Sequence, residues 1–335
     1  MTVEILIFGA GAVGAFYGSR LANAPDTQVS VVCRSNYKAV KANGFTVKSP
    51  QYGDYTWSPT RTFASPEDAR KSKTKWDYIV VSTKALPDVS DDSQQLEGLV
   101  GDGTGIVLIQ NGLGVEGPYN RRFPKATVLS AVTVISAAQP EHGLIQHNRW
   151  TRINVGPYLP EQGVEDEKAM ACNKKFVELL NAGGVKDASA YSHAKLQLVR
   201  WHKIAINAAF NPSSVLSGGS SNATMALDSE AQLHIKGVMD EVLTTGPKVL
   251  NTQFPKEFAT SEAILRSTQK NTSGSRPSMW ADWESGKRME LEVILGNPIR
   301  IAREKGFEMP RLQSLYALLK LAQENRDKGN ERSKL

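Results

Sequence analysis

The feature that most constrains the fold is a glycine-rich segment directly after a short apolar run. Val3–Phe8 predicts a buried β-strand, and a helical stretch follows at residues 13–21. The segment that joins them reads Gly9-Ala10-Gly11-Ala12-Val13-Gly14. In this context the first glycine permits a tight turn, the second lets a pyrophosphate approach the backbone, and the third lets the helix pack closely on the strand. The segment therefore predicts the first strand of a Rossmann-type domain and a dinucleotide site at the start of its helix.

The pattern of apolar residues changes along the chain. Further strands are predicted at residues 29–33, 76–82, 105–109, 126–135 and 152–155, and helices at 196–210, 223–250, 278–295 and 312–325. Short strands alternating with helices indicate a mostly parallel, doubly wound α/β sheet, and continuous helical periodicity indicates an all-α domain. We therefore expect a Rossmann-type domain over residues 1–188, an all-α domain over 189–325 and a flexible polar tail over 326–335.

Arg34 is the second sign of a dinucleotide. It follows the second predicted strand, where NAD-binding folds carry an acidic residue that holds the ribose 2′-hydroxyl. A guanidinium suits a 2′-phosphate instead, so NADP(H) is the expected cofactor. The alternative is a solvated arginine at a strand end.

Lys84 and Asn111 each follow a later predicted strand. The carboxyl ends of parallel strands line the cofactor crevice of open α/β sheets. Both residues are therefore candidates for contact with nicotinamide, ribose or substrate. Each can equally be a loop residue, and Asn111-Gly112 is an ordinary turn dipeptide.

A polar row interrupts the first helix of the predicted all-α domain. Lys203, Asn207 and Asn211 are spaced i, i+4, i+8 and share one helical face. Polar groups on an otherwise apolar segment need partners. The alternatives are that Asn211 ends the helix before Pro212 and that Lys203 reaches solvent.

Two further residues lie in the predicted helix at 278–295. Ser278 follows Pro277 and is a plausible N-cap. Glu290 falls deep inside this helix, where it is either functional or a surface carboxylate. Neither residue is assigned a role by the local pattern alone.

Composition excludes several classes of function. Lysine and arginine number 40 and the acids 34, which gives a net charge of +6, but the two signs are interleaved and no RNA-binding or zinc-finger pattern appears. The apolar runs are too short to cross a bilayer. The five histidines and two cysteines have no metal-ligand spacing. We expect no nucleic acid, no membrane and no metal.

Taken together, these segments resemble the 2-dehydropantoate 2-reductase (ketopantoate reductase) family. The resemblance rests on the glycine segment, Arg34, Thr83-Lys84-Ala85, Gln110-Asn111-Gly112-Leu113-Gly114, Trp201-His202-Lys203, Asn207, Asn211-Pro212, Pro277-Ser278-Met279 and Glu290. It implies a Rossmann domain, a helical domain and an active site in the cleft between them. The implied reaction is NADPH-dependent reduction of a 2-oxo acid, ketopantoate to pantoate.

The resemblance also implies roles for single residues. Lys203 would be the general acid, and Glu290 would assist it. The implied substrate-binding residues are Asn111, Asn207, Asn211 and Ser278, and the implied cofactor-binding residues are Gly9, Ala10, Gly11, Ala12, Val13, Gly14, Arg34, Lys84 and Asn111. Many family members carry Asn or Lys where this chain has Ser275-Arg276. Substrate contacts there are therefore expected to differ.

Two other functions and two assembly states stay open at this point. The chain could be a related dehydrogenase of another 2-oxo or a 3-hydroxy acid, or of an imine, or a non-enzymatic NADP(H) redox sensor. The small 2-oxo acid is the expected partner, and a homodimer is as compatible with the sequence as a monomer.

The last three residues, Ser333-Lys334-Leu335, match the S-K-L peroxisomal address. In a eukaryotic cell we expect the peroxisomal import receptor to bind them and the protein to be peroxisomal. In any other cell we expect it to be cytoplasmic.

Overall fold

The computed structural model describes residues 2–160 and 166–332. The chain forms two compact units. The first comprises Met1–Lys84, Asp91–Gln110 and Val115–Leu196, and the second comprises Ala85–Ser90, Asn111–Gly114 and Gln197–Leu335. Two short segments that follow strands of the first unit therefore belong to the second.

The first unit is built on one twisted sheet. Its strands are β1 (Val3–Phe8), β2 (Thr27–Val32), β3 (Phe45–Lys48), β4 (Tyr55–Trp57), β5 (Thr62–Phe63), β6 (Tyr78–Val81), β7 (Gly105–Leu108), β8 (Thr127–Glu141), β9 (Leu144–Pro157) and β10 (Ala188–Ala190). The order is β4-β3-β9-β8-β7-β6-β1-β2-β5, with β10 beside β9. All neighbours run parallel except β3–β4 and β8–β9.

The central strands are buried on both faces. Every residue of β6 and β7 is buried, as expected of parallel strands that helices cover on each side. The strands predicted at residues 3–8, 29–33, 76–82 and 105–109 are confirmed as β1, β2, β6 and β7, with bounds that differ by at most two residues. The segments predicted at 126–135 and 152–155 belong to a long antiparallel hairpin, β8–β9, whose register shifts after Ile135.

The helices account for most of the remaining chain. They are α1 (Ala12–Ala22), α2 (Tyr37–Asn43), α3 (Pro66–Lys71), α4 (Gly117–Arg122), α5 (Glu167–Ala182), α6 (His193–Leu216), α7 (Asn222–Leu227), α8 (Ser229–Leu250), α9 (Ser261–Gln269), α10 (Ser278–Glu284), α11 (Asn297–Glu304) and α12 (Pro310–Arg332), with a 3₁₀ turn at Asp92–Leu96 and a π-helix at Glu292–Gly296. Beyond Ala190 the described regular elements are all helical. The predicted α/β domain followed by an all-α domain is confirmed. None of the described helices is long and apolar enough to span a bilayer.

The single helix predicted over residues 278–295 is wrong. Helix α10 ends at Glu284, and Gly286 adopts φ +69°. The amide of Lys287 donates to the Asp282 carbonyl at 2.8 Å. This is a glycine-based C-terminal cap, which ends a helix because glycine enters the left-handed region at little cost. Glu290 therefore lies just before the next helical segment and not inside a helix.

The flexible tail predicted over residues 326–335 is also wrong as far as Arg332. Helix α12 continues to that residue. Arg326 holds it in place, because its guanidinium donates to the carbonyls of Trp283 (3.1 Å) and Lys287 (2.7 Å) and lies over the Trp283 ring. Polar composition suggested a loose tail, whereas these tertiary contacts extend the helix. The S-K-L tripeptide at residues 333–335 lies outside the described residues.

Candidate active site

The glycine segment forms the turn between β1 and α1 in the first unit. Gly9 adopts φ +99°, and a Cβ there would lie 2.7 Å from the Thr83 amide nitrogen. A Cβ on Gly14 would overlap the Ser82 hydroxyl and the Gly9 carbonyl oxygen. These two positions thus require glycine for the close packing of α1 on the strands, as the sequence predicted.

Gly11 has a different reason to be glycine. Its φ of −77° and ψ of −166° suit any residue, and a Cβ there would have no protein atom within 4 Å. The space beside its Cα, at the N-terminus of α1, is therefore open where a pyrophosphate would approach the backbone. The residues present fit a dinucleotide at this turn.

The amide side chains of Asn36 and Gln139 donate hydrogen bonds to the glycine turn. Neither residue was predicted from the sequence. Asn36 is 5% exposed, and its Nδ2 donates to the Ala10 carbonyl at 2.8 Å. Gln139 Nε2 donates to the same oxygen at 3.4 Å. The only signal for Asn36 is its position two residues after Arg34. Arg34 itself is exposed, with its Nη2 3.4 Å from Gln95 Oε1.

The carboxyl ends of β6 and β7 complete the polar edge of the first unit beside the glycine turn. Lys84, two residues beyond Ser82, is exposed. Gln110 is buried and its Nε2 donates to the Thr83 carbonyl at 3.1 Å. The glycine turn, Arg34 and Lys84 thus all belong to the first unit and follow adjacent strands of its sheet.

The second unit brings Lys203 and Asn111 into direct contact. Lys203 lies on α6, and its Nζ donates to Asn111 Oδ1 at 2.8 Å. Glu290 is 6% exposed, and its Oε1 accepts a hydrogen bond from the Ala85 amide at 3.0 Å. Residues far apart in sequence, at positions 85, 111, 203 and 290, thus meet within one unit. The surface-carboxylate alternative for Glu290 is wrong, because the side chain is buried.

The surroundings of Lys203 make its ammonium a better proton donor. Burial, together with the positive charge of Arg200, lowers the pKa of Lys203 to about 8, and the negative charge of Glu290 opposes the shift. Burial disfavours the charged form of an amine, and a nearby carboxylate favours it. The result is an ammonium that remains charged at neutral pH and titrates close to it.

The turn that carries Asn111 is fixed by helices of the second unit. Gly112 adopts φ +95°, and a Cβ there would overlap Val293 of the π-helix. The amide of Leu113 donates to the Val293 carbonyl at 2.9 Å, and Asn297 Nδ2 donates to the Leu113 carbonyl at 2.6 Å. These contacts fix the turn and with it the Asn111 amide. The sequence showed only a turn dipeptide and gave no sign of its partners.

The remaining residues of the polar row lie further along α6. The helix continues through Pro212 to Leu216, so the alternative in which Asn211 ends the helix is wrong. Asn211 is 5% exposed, and its Nδ2 has no hydrogen-bond partner among the described residues. A buried amide donor without a partner is costly, which suits a position that meets an acceptor on a ligand. Asn207 is half-buried.

Ser278 is placed differently from the expectation. Pro277 occupies the N-cap of α10, and Ser278 is the first helical residue, exposed to solvent. The N-cap prediction for Ser278 is wrong because proline, with its fixed φ, takes that position. The predicted roles of Ser278, Asn207 and Lys84 toward substrate or cofactor stay predictions.

Comparison with known proteins identifies the family. The profile of the family described as Ketopantoate reductase PanE/ApbA matches residues 5–160, and that of its C-terminal domain matches residues 195–323. A crystal structure of 2-dehydropantoate 2-reductase from Methylococcus capsulatus is 33% identical, covers 97% of this chain and 98% of its own, and superposes with a TM-score of 0.82.

Two curated relatives extend the comparison. An uncharacterized protein of Saccharomyces cerevisiae is 31% identical, with 96% of this chain and 93% of its own covered. A 2-dehydropantoate 2-reductase of Nostoc is 27% identical, with 94% of this chain and 93% of its own covered. The two family profiles together match most of the chain, from the glycine turn to helix α12. The chain therefore belongs to the ketopantoate reductase family and is an oxidoreductase.

Proposed function

We propose that this protein reduces a 2-oxo acid to the 2-hydroxy acid with NADPH. The observation that carries the proposal is the contact of the half-buried Lys203 ammonium with Asn111 beside the buried Glu290 carboxylate. A bound nicotinamide supplies the hydride. The other requirement of ketone reduction is a proton for the alkoxide oxygen, and we assign this proton to Lys203.

The chemistry of this chain's residues follows from their contacts. The Lys203 ammonium polarises the carbonyl, then one of its N–H bonds breaks as the O–H bond of the product forms, and the neutral amine regains its proton from solvent. Asn111 fixes the direction of the ammonium through its Oδ1. Glu290 keeps the ammonium charged against burial. The unpaired Nδ2 of Asn211 is available to a carboxylate or hydroxyl oxygen of the substrate.

For the substrate we propose 2-dehydropantoate. Its support is the activity named for the relatives from Nostoc and Methylococcus capsulatus. A different 2-oxo acid is the second candidate, favoured by Ser275-Arg276 where many family members carry Asn or Lys. Loss of NADPH absorbance on addition of each acid in a panel, with NADH in parallel, tests both. No turnover with any 2-oxo acid would refute the proposed function.

We expect NADPH to be preferred over NADH by at least tenfold in kcat/KM. The exposed Arg34 follows β2, which pairs in parallel with the strand before the glycine turn, and a charge-assisted contact with a 2′-phosphate is worth about 1.5–3 kcal/mol. Arg34→Ala should erode the preference and leave turnover with NADH nearly unchanged. Steady-state kinetics with both cofactors measure this, and equal efficiency in the parent protein would contradict it.

The pH dependence of reduction should report Lys203. The group must be protonated to act, so log(kcat/KM) should be level at low pH and fall with a slope of −1 above the pKa of Lys203, near pH 8. A lysine with the ordinary value of 10.5 would keep activity level far into the alkaline range. A profile measured from pH 6 to 10 tests this expectation, and a level profile to pH 10 would contradict the lowered pKa of Lys203.

The peroxisomal address stays a prediction. We propose that Ser333-Lys334-Leu335 directs import in a eukaryotic cell. A fluorescent fusion ending in these residues should collect in peroxisomes, and the same fusion without the tripeptide should not. Cytosolic fluorescence of the complete fusion in cells with working peroxisomes would make the match a coincidence.

A further inference from the structure

Arg200 is a buried cation that the proposed mechanism leaves without a role. It lies on α6 three residues before Lys203, so the two side chains share a helical face, and it is 3% exposed. Two cations close together in a buried setting repel each other and lose solvation. A guanidinium cannot relieve this by losing its proton. A permanent positive charge beside Lys203 therefore calls for a reason.

The contact made by Arg200 supplies that reason. Its Nη1 donates to the Gly112 carbonyl at 2.8 Å. Gly112 directly follows Asn111, whose Oδ1 accepts from Lys203. Arg200 therefore ties helix α6 to the turn that carries the hydrogen-bond acceptor of Lys203. The contacts of Val293 and Asn297 fix the other side of the same turn.

The charge of Arg200 acts on the same group. Among the described residues, the charges that shift the pKa of Lys203 include Arg200, from its own helix, and Glu290, from the segment before the π-helix. They act in opposite directions: the carboxylate holds the proton on the amine, and the guanidinium favours its release. Because the guanidinium is always charged, its effect is constant across the pH range in which Lys203 titrates.

We propose that Arg200 is a positioning residue for the reduction, which holds the Asn111 turn against α6 and, by a permanent neighbouring charge, favours transfer of the Lys203 proton. The inference rests on the proposed function. It adds to that function a residue that touches neither substrate nor cofactor and acts through Asn111 and Lys203.

The test compares the full-length parent protein with R200Q and R200K. Glutamine retains an amide donor for the Gly112 carbonyl but removes the charge. Lysine retains the charge but loses the planar guanidinium group with its several N–H donors. The protonation of Lys203 is followed without turnover, from the rate at which acetic anhydride labels its Nζ at each pH, read by mass spectrometry. Only the neutral amine reacts. Turnover of a 2-oxo acid with NADPH is measured over the same pH range.

The two variants should separate the two effects. The labelling midpoint of Lys203 should lie near pH 8 in the parent, about one unit higher in R200Q and unchanged in R200K. The alkaline limb of kcat/KM should move with the midpoint. Both variants should lose at least threefold in kcat at pH 7, since each disturbs the turn or the acidity of Lys203. Arg303→Gln, at an exposed arginine of α11 paired with Glu308, is the matched control and should change neither the labelling midpoint of Lys203 nor kcat.

Each failure has a separate meaning. If R200Q folds and the labelling midpoint of Lys203 stays near that of the parent, the inference is overturned. Full kcat in R200K would overturn it as well. If R200Q does not fold, R200K alone provides the test. A parent protein without turnover, in which the labelling midpoint still moves in R200Q, would instead overturn the proposed reduction. The effect of Arg200 on the protonation of Lys203 would then be supported, although the proposed reduction would not.

Discussion

Lys203→Ala is expected to lower kcat at least a hundredfold. Hydride delivery to a ketone carbon leaves an alkoxide, which is too basic to persist and must be protonated as it forms. A positioned general acid contributes roughly 10²–10⁴-fold to such a step. NADPH should still bind, because the glycine turn belongs to the other unit. Stopped-flow and steady-state measurement of NADPH oxidation gives the loss, and quenching of protein fluorescence gives cofactor binding.

The stability of this variant should change little. Removing the ammonium loses its hydrogen bond to Asn111 but also relieves its repulsion with Arg200. Lys305→Ala, at an exposed lysine after α11, is a matched control that should retain kcat. If Lys203→Ala retained more than about a tenth of the parent kcat, against the loss expected of a general acid, Lys203 would have no part in proton transfer.

Gly11→Ala should weaken NADPH binding ten- to a hundredfold without loss of the fold. Its backbone conformation suits alanine, and the new methyl group would meet no protein atom within 4 Å. The methyl group would instead occupy space that the pyrophosphate needs, and overpacking of this kind costs about 1–3 kcal/mol. Calorimetric titration with NADPH measures the affinity, and thermal unfolding of the unbound protein measures stability.

Gly14→Ala is the matched control, because the same methyl group meets protein instead of open space. Its Cβ would overlap the Ser82 hydroxyl and the Gly9 carbonyl, so α1 must move off the strands. We expect a loss of about 3 kcal/mol and a fall in Tm of roughly 5–10 °C. Unchanged NADPH affinity in Gly11→Ala would remove the glycine turn from cofactor binding.

Local patterns were sufficient for the elements whose signal lies in neighbouring residues. Strand β1, the glycine turn and helix α1 follow from an apolar run, three glycines and a helical period, all within about twenty residues. The two-sided burial of β6 and β7 follows from their continuous apolar sequence. The spacing of Lys203, Asn207 and Asn211 places them on one face of α6.

Local patterns failed where hydrogen bonds outside the helical repeat decide where a helix ends. The helical period across residues 278–295 was misleading because α10 ends where Gly286 adopts φ +69° and the Lys287 amide donates to the Asp282 carbonyl. The polar composition after residue 325 was misleading because Arg326 anchors α12 on Trp283 and Lys287. In both segments the chain has an acceptable local alternative, and a few hydrogen bonds choose between the two.

The Rossmann-type turn, the order of an α/β and an all-α part, and the residue types available for proton transfer could be predicted from local sequence. The contact of Asn111 with Lys203, the burial of Glu290 beside Ala85 and the bond from Arg200 to the turn depend on the folded chain. The difference lies in the distance along the chain over which each interaction acts. Periodicity and backbone preference act over a few residues, whereas the pKa of Lys203 depends on burial and on charges brought together from separate parts of the chain.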